Sequence, residues 1–350
     1  MAPLNLLFTG ATGYIGGAVL DHLIGWNTKN QAYSITAIAR KPEAVEKIKS
    51  SYSNDALTVV QAGYSDPVFA TLVAEADVIV HTGESADDGT SANVITKNIK
   101  DGALLVHTSG TAILIEESEL DQQVKRRCDD VDDIKTLTSW DLDHLHRNID
   151  IQILDLHKNK PTVNTIIVCP PLIYGKGTGK VIQASQQIPL MIKIASILKK
   201  NAVYGSGKAA WSNVHISDLA VLYVILLATY ISDPKRLWYN DEGYYFAENG
   251  THSWKLITAA LDEPLVKYGI IPPENTAKVG TPDEVHFTDD ELKKGLESPK
   301  LYKTAAWMYC TNSLCKATRA RKLGWVPKQP DVYSTLDDEV KRFKEFGAPR

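Results

Sequence analysis

Apolar residues in the first half of the chain gather in short unbroken runs, each closed by glycine or a polar turn. Between them lie stretches whose apolar positions recur three and four apart. LNLLFTG, Leu4 to Gly10, is the first run, and a helical pattern follows from Tyr14 to Gly25. SITAIAR (Ser34 to Arg40), LTVVQAG (Leu57 to Gly63), DVIVHTG (Asp77 to Gly83), ALLVHTSG (Ala103 to Gly110) and TIIVCPP (Thr165 to Pro171) repeat the theme. PEAVEKIKSSY and PVFATLVAEA read as helices between them, with Pro42 suited to a first turn. Continuous apolar runs are what strands buried on both faces require. Strands alternating with helices therefore predict an α/β fold, a doubly wound parallel sheet with helices on both faces. The segment from Glu116 to Asp143 is acidic and polar and reads as surface helix and loop. LAVLYVILLATYI, Leu219 to Ile231, is too short to cross a bilayer and reads as a buried helix.

Composition narrows the function classes. The 350 residues suffice for a large core in two packed parts. A net charge of −4 gives no reason to expect a nucleic-acid or membrane partner. MAPLNLLFTG has no basic n-region, so no signal peptide is expected. Four cysteines, Cys128, Cys169, Cys310 and Cys315, are too few for a disulfide framework and favour a reducing, cytoplasmic setting. Cys310 and Cys315 lack zinc-knuckle spacing, so no metal is expected. The oligomeric state stays open, a homodimer included.

GATGYIG, Gly10 to Gly16, follows the first strand and opens the first helix, the context that gives a glycine pattern meaning. Gly10 permits the tight turn, Gly13 lets backbone approach a pyrophosphate, and Gly16 lets helix and strand pack closely. At the end of the second strand, where an NAD site usually has a carboxylate for the ribose, stand Arg40 and Lys41. Two cations suit a 2′-phosphate, so NADP(H) is the expected cofactor.

Six motifs in order resemble the extended short-chain dehydrogenase/reductases, in particular atypical epimerase-like and NmrA-like members. They are TGATGYIG (Thr9 to Gly16), VIVHTG (Val78 to Gly83), VHTSG (Val106 to Gly110), CPPLIYG (Cys169 to Gly175), WSNVHISDLA (Trp211 to Ala220) and ARKLGWVPK (Ala320 to Lys328). The resemblance implies a Rossmann-type nucleotide domain over 1–174 with a chain return at about 213–247. The substrate part would take 175–212 and 248–350. The resemblance assigns cofactor contacts to Gly10, Thr12, Gly13, Tyr14, Ile15, Gly16, Arg40, Lys41, Tyr64, His81, Thr82, Gly83, Pro170 and Ile173. It makes Ser109 the group that holds the reacting atom, and gives His215 and Asp218 the role of fixing the return. GKGTGK, Gly175 to Lys180, would lie at the mouth of the cleft, as a lid or a plain surface loop.

The sequence departs from the resemblance where the chemistry should be. The third strand ends AGYSD, with Gly63 in place of an adenine-facing aspartate, which leaves adenine a backbone amide near Tyr64. Where the family has Tyr-x-x-x-Lys, this chain has HRNID, residues 146 to 150. Residues four apart on a helix share a face, so His146 and Asp150 are expected to point into the cleft together as acid and orienter. The opposing reading is a salt-bridged surface face of His144, His146, Arg147 and Asp150, and Tyr174 is a second candidate acid. Three functions follow: an NADP(H)-dependent reductase of a carbonyl or imine of a small organic metabolite, secondary metabolites included; a redox-silent NmrA-like regulator; or a non-redox isomerase, lyase or cyclase. Trp254, Tyr302, Trp307 and Tyr309 in the C-terminal part favour a substrate pocket over a bare sensor.

Overall fold

Every apolar run of the first half is a strand. In the computed structural model, which describes residues 2–52, 57–116, 118, 120–123, 126–142, 144–296 and 299–347, these are β1 (Leu4–Thr9), β2 (Tyr33–Ala39), β3 (Leu57–Gln61), β4 (Val78–His81) and β5 (Leu104–Thr108). After the two-residue β6 (Cys128–Asp129) come β7 (Asn164–Cys169), β8 (Leu172–Tyr174), β9 (Ala210–His215), β10 (Tyr244–Phe246), β11 (Thr251–Ser253) and β12 (Cys315–Lys316). Seven strands form one parallel sheet in the order β3-β2-β1-β4-β5-β7-β10. The order reverses between β1 and β4, which opens a crevice at their carboxyl ends. A second, three-stranded sheet runs β8-β9-β11, and β6 pairs with β12.

The helices that matter for the crevice are α1 (Tyr14–Asn30), α2 (Pro42–Ser51), α3 (Pro67–Glu75), α4 (Gly89–Asn98), α5 (Ile134–Ser139) and α6 (Arg147–Leu154). The pattern ends α1 at Gly25, yet the helix runs a further turn. The glycine costs about 1 kcal/mol. That is offset because Leu23, Ile24 and Asn27 are buried and Asn27 exchanges two hydrogen bonds with the Tyr33 backbone. The chain then stops at Gln31, whose backbone is left-handed. The run from Leu219 to Ile231 lies in a helix, Ile216–Ser232, packed against α1, and Tyr33 donates its hydroxyl to the Leu227 carbonyl.

The acidic segment is mostly at the surface, as read, but not around Cys128 to Asp130. Glu117, Glu119, Val124, Lys125 and Asp143 lie outside the described residues. In the remainder α5 is the α-helix, and Asp129 and Asp130 are buried. Asp130 accepts from the Phe246 and Arg319 amides, and so ties the segment to β10 and to the helix Thr318–Lys322.

Two hydrophobic cores result. One fills the parallel sheet and takes in the helix at 216–232 and the stretch from Cys315 to Trp325. The other gathers Leu172, Trp211, Trp254, Tyr309 and Val340. Asp218 joins them: its carboxylate accepts from the Lys328 and Gln329 amides, and its carbonyl accepts from the Trp325 indole. The return motif and the C-terminal motif are thus one structural knot. Among the described residues, no helix is long and apolar enough to cross a membrane.

Candidate functional site

The chain leaves β1 and turns at Gly10, which has φ of +78°. A Cβ there would sit 2.5 Å from Thr82 Oγ1 and 2.6 Å from the Gly83 nitrogen. On Gly16 it would run into the Gly10 carbonyl and Thr82 Oγ1. Thr82 is the reason for the tightness, since its hydroxyl donates to the Thr9 carbonyl at 2.7 Å across the β1–β4 step. Gly13 is different. A Cβ on it would meet only the Gly10 carbonyl, at 3.3 Å, so its outer face is open. Gly13 also begins α1 with no side-chain cap and no acidic residue in the first turn. The amides of Tyr14, Ile15 and Gly16 therefore have no helical acceptor and present the positive end of the helix. These residues fit a dinucleotide pyrophosphate.

Beyond the cradle, a cleft of about 300 Å³ is lined by Arg40, Gly63, Tyr64, Ser65, Asp66, Asp88 and Thr90. Arg40 and Lys41 are exposed. Both lining carboxylates are engaged, Asp66 by the Gly63 amide and Asp88 by the Thr90 amide at 2.8 Å. The Tyr64 phenol turns inward, donates to the Gly83 carbonyl at 2.8 Å and packs on Phe69. Its backbone is what remains to face an adenine.

At the other end of the crevice, β5 delivers Ser109, which is buried. Its hydroxyl donates to Asp150 Oδ2 at 3.1 Å, and the Tyr244 hydroxyl donates to the same oxygen at 2.9 Å. Arg147 lies behind, donating to Tyr244 at 3.0 Å and to the Trp140 carbonyl at 2.7 Å. Among the described residues, Asp150 Oδ1 has no hydrogen-bond partner, nor has either nitrogen of His107, whose Nε2 is 3.9 Å away. Burial pushes the Asp150 carboxyl up to about 6, against the opposing pull of the Ser109 and Tyr244 hydrogen bonds. Burial also drives His107 well below the ordinary histidine range, with His81 and His146 adding repulsion.

His146 and Asp150 do not form the expected pair. His146 precedes α6 with a left-handed backbone, φ of +64°, so the two do not share a helical face. Its Nδ1 instead meets Asp87 Oδ1 at 2.8 Å, and that hydrogen bond holds the Asp87 carboxyl below its usual range. Its Nε2 lies over Gly110, where a Cβ would approach to 3.3 Å. Ser109 and the His146 ring over Gly110 thus stand at neighbouring positions at the end of β5, each backed by a different carboxylate. The surface-face reading also gives way: Arg147 and Asp150 are buried, and His144 stacks on Trp140 with ring centroids 4.4 Å apart. Asp87, His107 and Tyr244 were not legible as site residues, because each is brought in by tertiary packing from far along the chain.

Other expected site residues resolve differently. His81 is buried and both ring nitrogens are used, by Thr9 at 2.7 Å and Ser91 at 3.1 Å, so its side chain is structural and not a cofactor contact. Tyr174 donates to the Pro330 carbonyl at 2.7 Å and is fully buried, which removes it as an acid. Thr12 and Ile173 are half-buried at the crevice, and the Pro170 carbonyl accepts from the Thr111 amide. His215 caps the helix that follows it through Ser217. The loop 175–180 is stitched to α1: Tyr14 donates to the Gly175 carbonyl, Lys180 pairs with Asp21 at 2.7 Å, and Gly179 packs backbone-to-backbone on Gly17. Trp254 and Tyr309 pack edge to face in the second core and are fully buried. The four cysteines are free and buried. Among the described residues, no cluster of three histidines, cysteines or carboxylates is placed to hold a metal ion.

No family model matches the chain. The chain is similar to the oxidase ucsJ of Acremonium sp., at 24% identity over 97% of this chain and 98% of that protein. Among solved structures, yeast methylglyoxal/isovaleraldehyde reductase Gre2 complexed with NADPH aligns at a TM-score of 0.61 and 11% identity, over 98% of this chain and 99% of that one. The UDP-N-acetylglucosamine 4-epimerase of Methanobrevibacter ruminantium, in complex with UDP-N-acetylmuramic acid, aligns at 0.58 and 14% identity over 99% of both chains. The sheet order and these alignments give the chain the extended short-chain dehydrogenase/reductase fold.

Proposed function

We propose that the chain is an NADP(H)-dependent oxidoreductase that reduces a carbonyl or imine of a small organic metabolite, secondary metabolites included. The observation that carries this is the placing of His146 Nε2 over Gly110, next in the chain to Ser109, at the crevice end beyond a glycine cradle shaped for a dinucleotide. Bound there, the reduced nicotinamide supplies a hydride. Ser109 holds the reacting group, and His146, oriented by Asp87, holds the proton. Arg40 and Lys41, exposed at the rim of the adenosine cleft, support the preference for a 2′-phosphate. The NADPH complex of Gre2 supports the same cofactor. Four free thiols support a reducing, cytoplasmic setting.

The test is fluorescence titration of NADPH and NADH, followed by turnover of aldehydes, ketones and imines under saturating NADPH. Tighter NADPH binding with turnover is the expected result. Binding without turnover of any of these classes would leave the redox-silent regulator, and NADH preference would remove the role given to Arg40 and Lys41.

A further inference from the structure

The reductase reading leaves the reacting group as a carbonyl or an imine. The directions of the hydrogen bonds around Ser109 separate the two, and the separation rests on that reading. A serine hydroxyl has a single hydrogen to donate. Ser109 donates it inward, to Asp150 Oδ2 at 3.1 Å. What Ser109 offers the cleft is therefore lone pairs. A carbonyl oxygen also has only lone pairs and finds no donor in Ser109. A protonated imine carries an N–H and finds an acceptor.

The charges around the spot point the same way. Hydride addition to a carbonyl concentrates negative charge on oxygen, which preorganised donors or cations must stabilise. In this chain the position of the usual lysine is a carboxylate, Asp150, behind Ser109, and a second carboxylate, Asp87, stands behind His146. The nearby cation, Arg147, is buried and turned away, its guanidinium committed to Tyr244 and to the Trp140 and Thr138 carbonyls. Both nitrogens of His107 are buried beneath. Hydride addition to an iminium does the reverse of carbonyl reduction: it discharges a positive charge that both carboxylates favour.

We infer that the substrate is an imine reduced as its iminium, with the N–H accepted by Ser109 Oγ and the charge balanced by Asp150 and Asp87. In this step His146 gives a proton to the imine nitrogen. The imine carbon then accepts a hydride from the reduced nicotinamide, and the C=N π pair becomes the nitrogen lone pair. A neutral amine and oxidised cofactor result, and His146, partly open to the cleft, recovers a proton from water. Ser109 touches the substrate; Asp150 is a positioning residue that acts through it.

The test pairs cyclic imines with ketones of similar size, dihydroisoquinoline with tetralone and pyrroline with cyclopentanone. Calorimetric binding to the cofactor-free chain should favour the imine of each pair by about tenfold or more. With NADPH, kcat/KM should favour it by on the order of a hundredfold. Ser109→Ala should erase the binding preference. Asp150→Asn, whose amide oxygen still receives the Ser109 hydrogen, should lower imine kcat/KM about tenfold through lost charge and raise the ketone values, since the carboxylate that opposes charge on the carbonyl oxygen is gone. A general structural defect would lower both. Equal binding, or ketones reduced faster than imines, overturns the inference while the reductase reading stands. NADPH binding with turnover of neither class overturns both.

Discussion

The two ends of the crevice are built from the same sheet but obey different rules. At the glycine cradle, geometry is fixed by what cannot fit: Gly10 and Gly16 have no room for a Cβ, and their neighbours are the next strand over. At the Ser109 end, geometry is fixed by hydrogen bonds between residues dozens of positions apart, as in Ser109, Asp150 and Tyr244. The first end tolerates almost no variation in residue type. The second keeps its spacing while exchanging its chemistry, because its geometry rests on side-chain hydrogen bonds that other polar residues could also make. A scaffold of this kind conserves the means of holding a cofactor and leaves the reaction free to change.

The sharpest way to break the comparison is at the cradle itself. Gly16→Val forces a side chain into the Gly10 carbonyl and should cost about 3 kcal/mol or more, seen as a large fall in thermal midpoint. Gly13→Val places its side chain on the open face. It should keep a native circular dichroism spectrum and lose dinucleotide binding altogether. Retained binding in the Gly13→Val protein would show that the pyrophosphate does not sit on α1.

At the other end, His146→Ala should lower the rate by ~10²–10⁴, the usual worth of a positioned acid. Asp87→Asn should cost less, about tenfold, since it removes an orienter and leaves the proton donor. Full activity in both would detach His146 from the chemistry. Asp150 tests the site through stability. Its folded carboxyl stands at about 6, above its ordinary 3.8, because it is buried. The native state therefore binds this proton more tightly than the unfolded chain. The stability it contributes is present below about 4 and is lost as pH rises to about 6. The resulting penalty at neutral pH is on the order of 3 kcal/mol. Asp150→Asn should remove it, so the variant should gain on the parent across that window in urea titrations, with the difference flat above it. An unchanged pH profile would mean that Asp150 is not buried as a charge.

What was legible in the sequence follows the same division. The six principal strands of the large sheet and the cradle were readable, because each rests on a local pattern, an apolar run or a glycine at a turn; the return and C-terminal motifs were read separately, and the Asp218 contacts that join them were not. The four-residue spacing of His146 and Asp150 misled because it assumed a continuous helix. One left-handed residue at His146 keeps it outside α6, which begins only at Arg147, and its imidazole meets Asp87. No periodicity announces a left-handed histidine, and none announces that Tyr244 will close over Asp150. His81 misled in the opposite sense. It stands in a cofactor motif, yet its ring is consumed by Thr9 and Ser91 beneath the sheet end.

Cofactor choice is a smaller effect. Arg40→Ala combined with Lys41→Ala should weaken NADPH about tenfold to a hundredfold, the worth of one or two charge-assisted contacts to a phosphate. NADH, which lacks that phosphate, should bind nearly as before. Parallel fluorescence titrations give both numbers. Equal losses for the two cofactors would indicate that the cations hold the adenosine cleft open and do not read the 2′ position.

The smallest expected effect separates an acid from a strand end. Tyr174 stands one residue before the mouth loop, in a motif that would suit a proton donor. Its hydroxyl, however, is spent on the Pro330 carbonyl at 2.7 Å, and its ring packs edge-on against His215 with centroids 5.3 Å apart. Burial raises its ionisation further, with Asp218 and Asp331 adding to the shift, so it holds its proton throughout the working range. Tyr174→Phe keeps the ring packing and removes one hydrogen bond, leaving a carbonyl of the C-terminal segment without its donor. The expected cost is about 1 kcal/mol of stability, with kcat and KM within about twofold of the parent. A tenfold fall in kcat without loss of stability would return Tyr174 to the chemistry. It would also require the segment around Pro330 to swing aside during turnover, because that hydroxyl cannot serve the cleft while it holds the C-terminal segment in place.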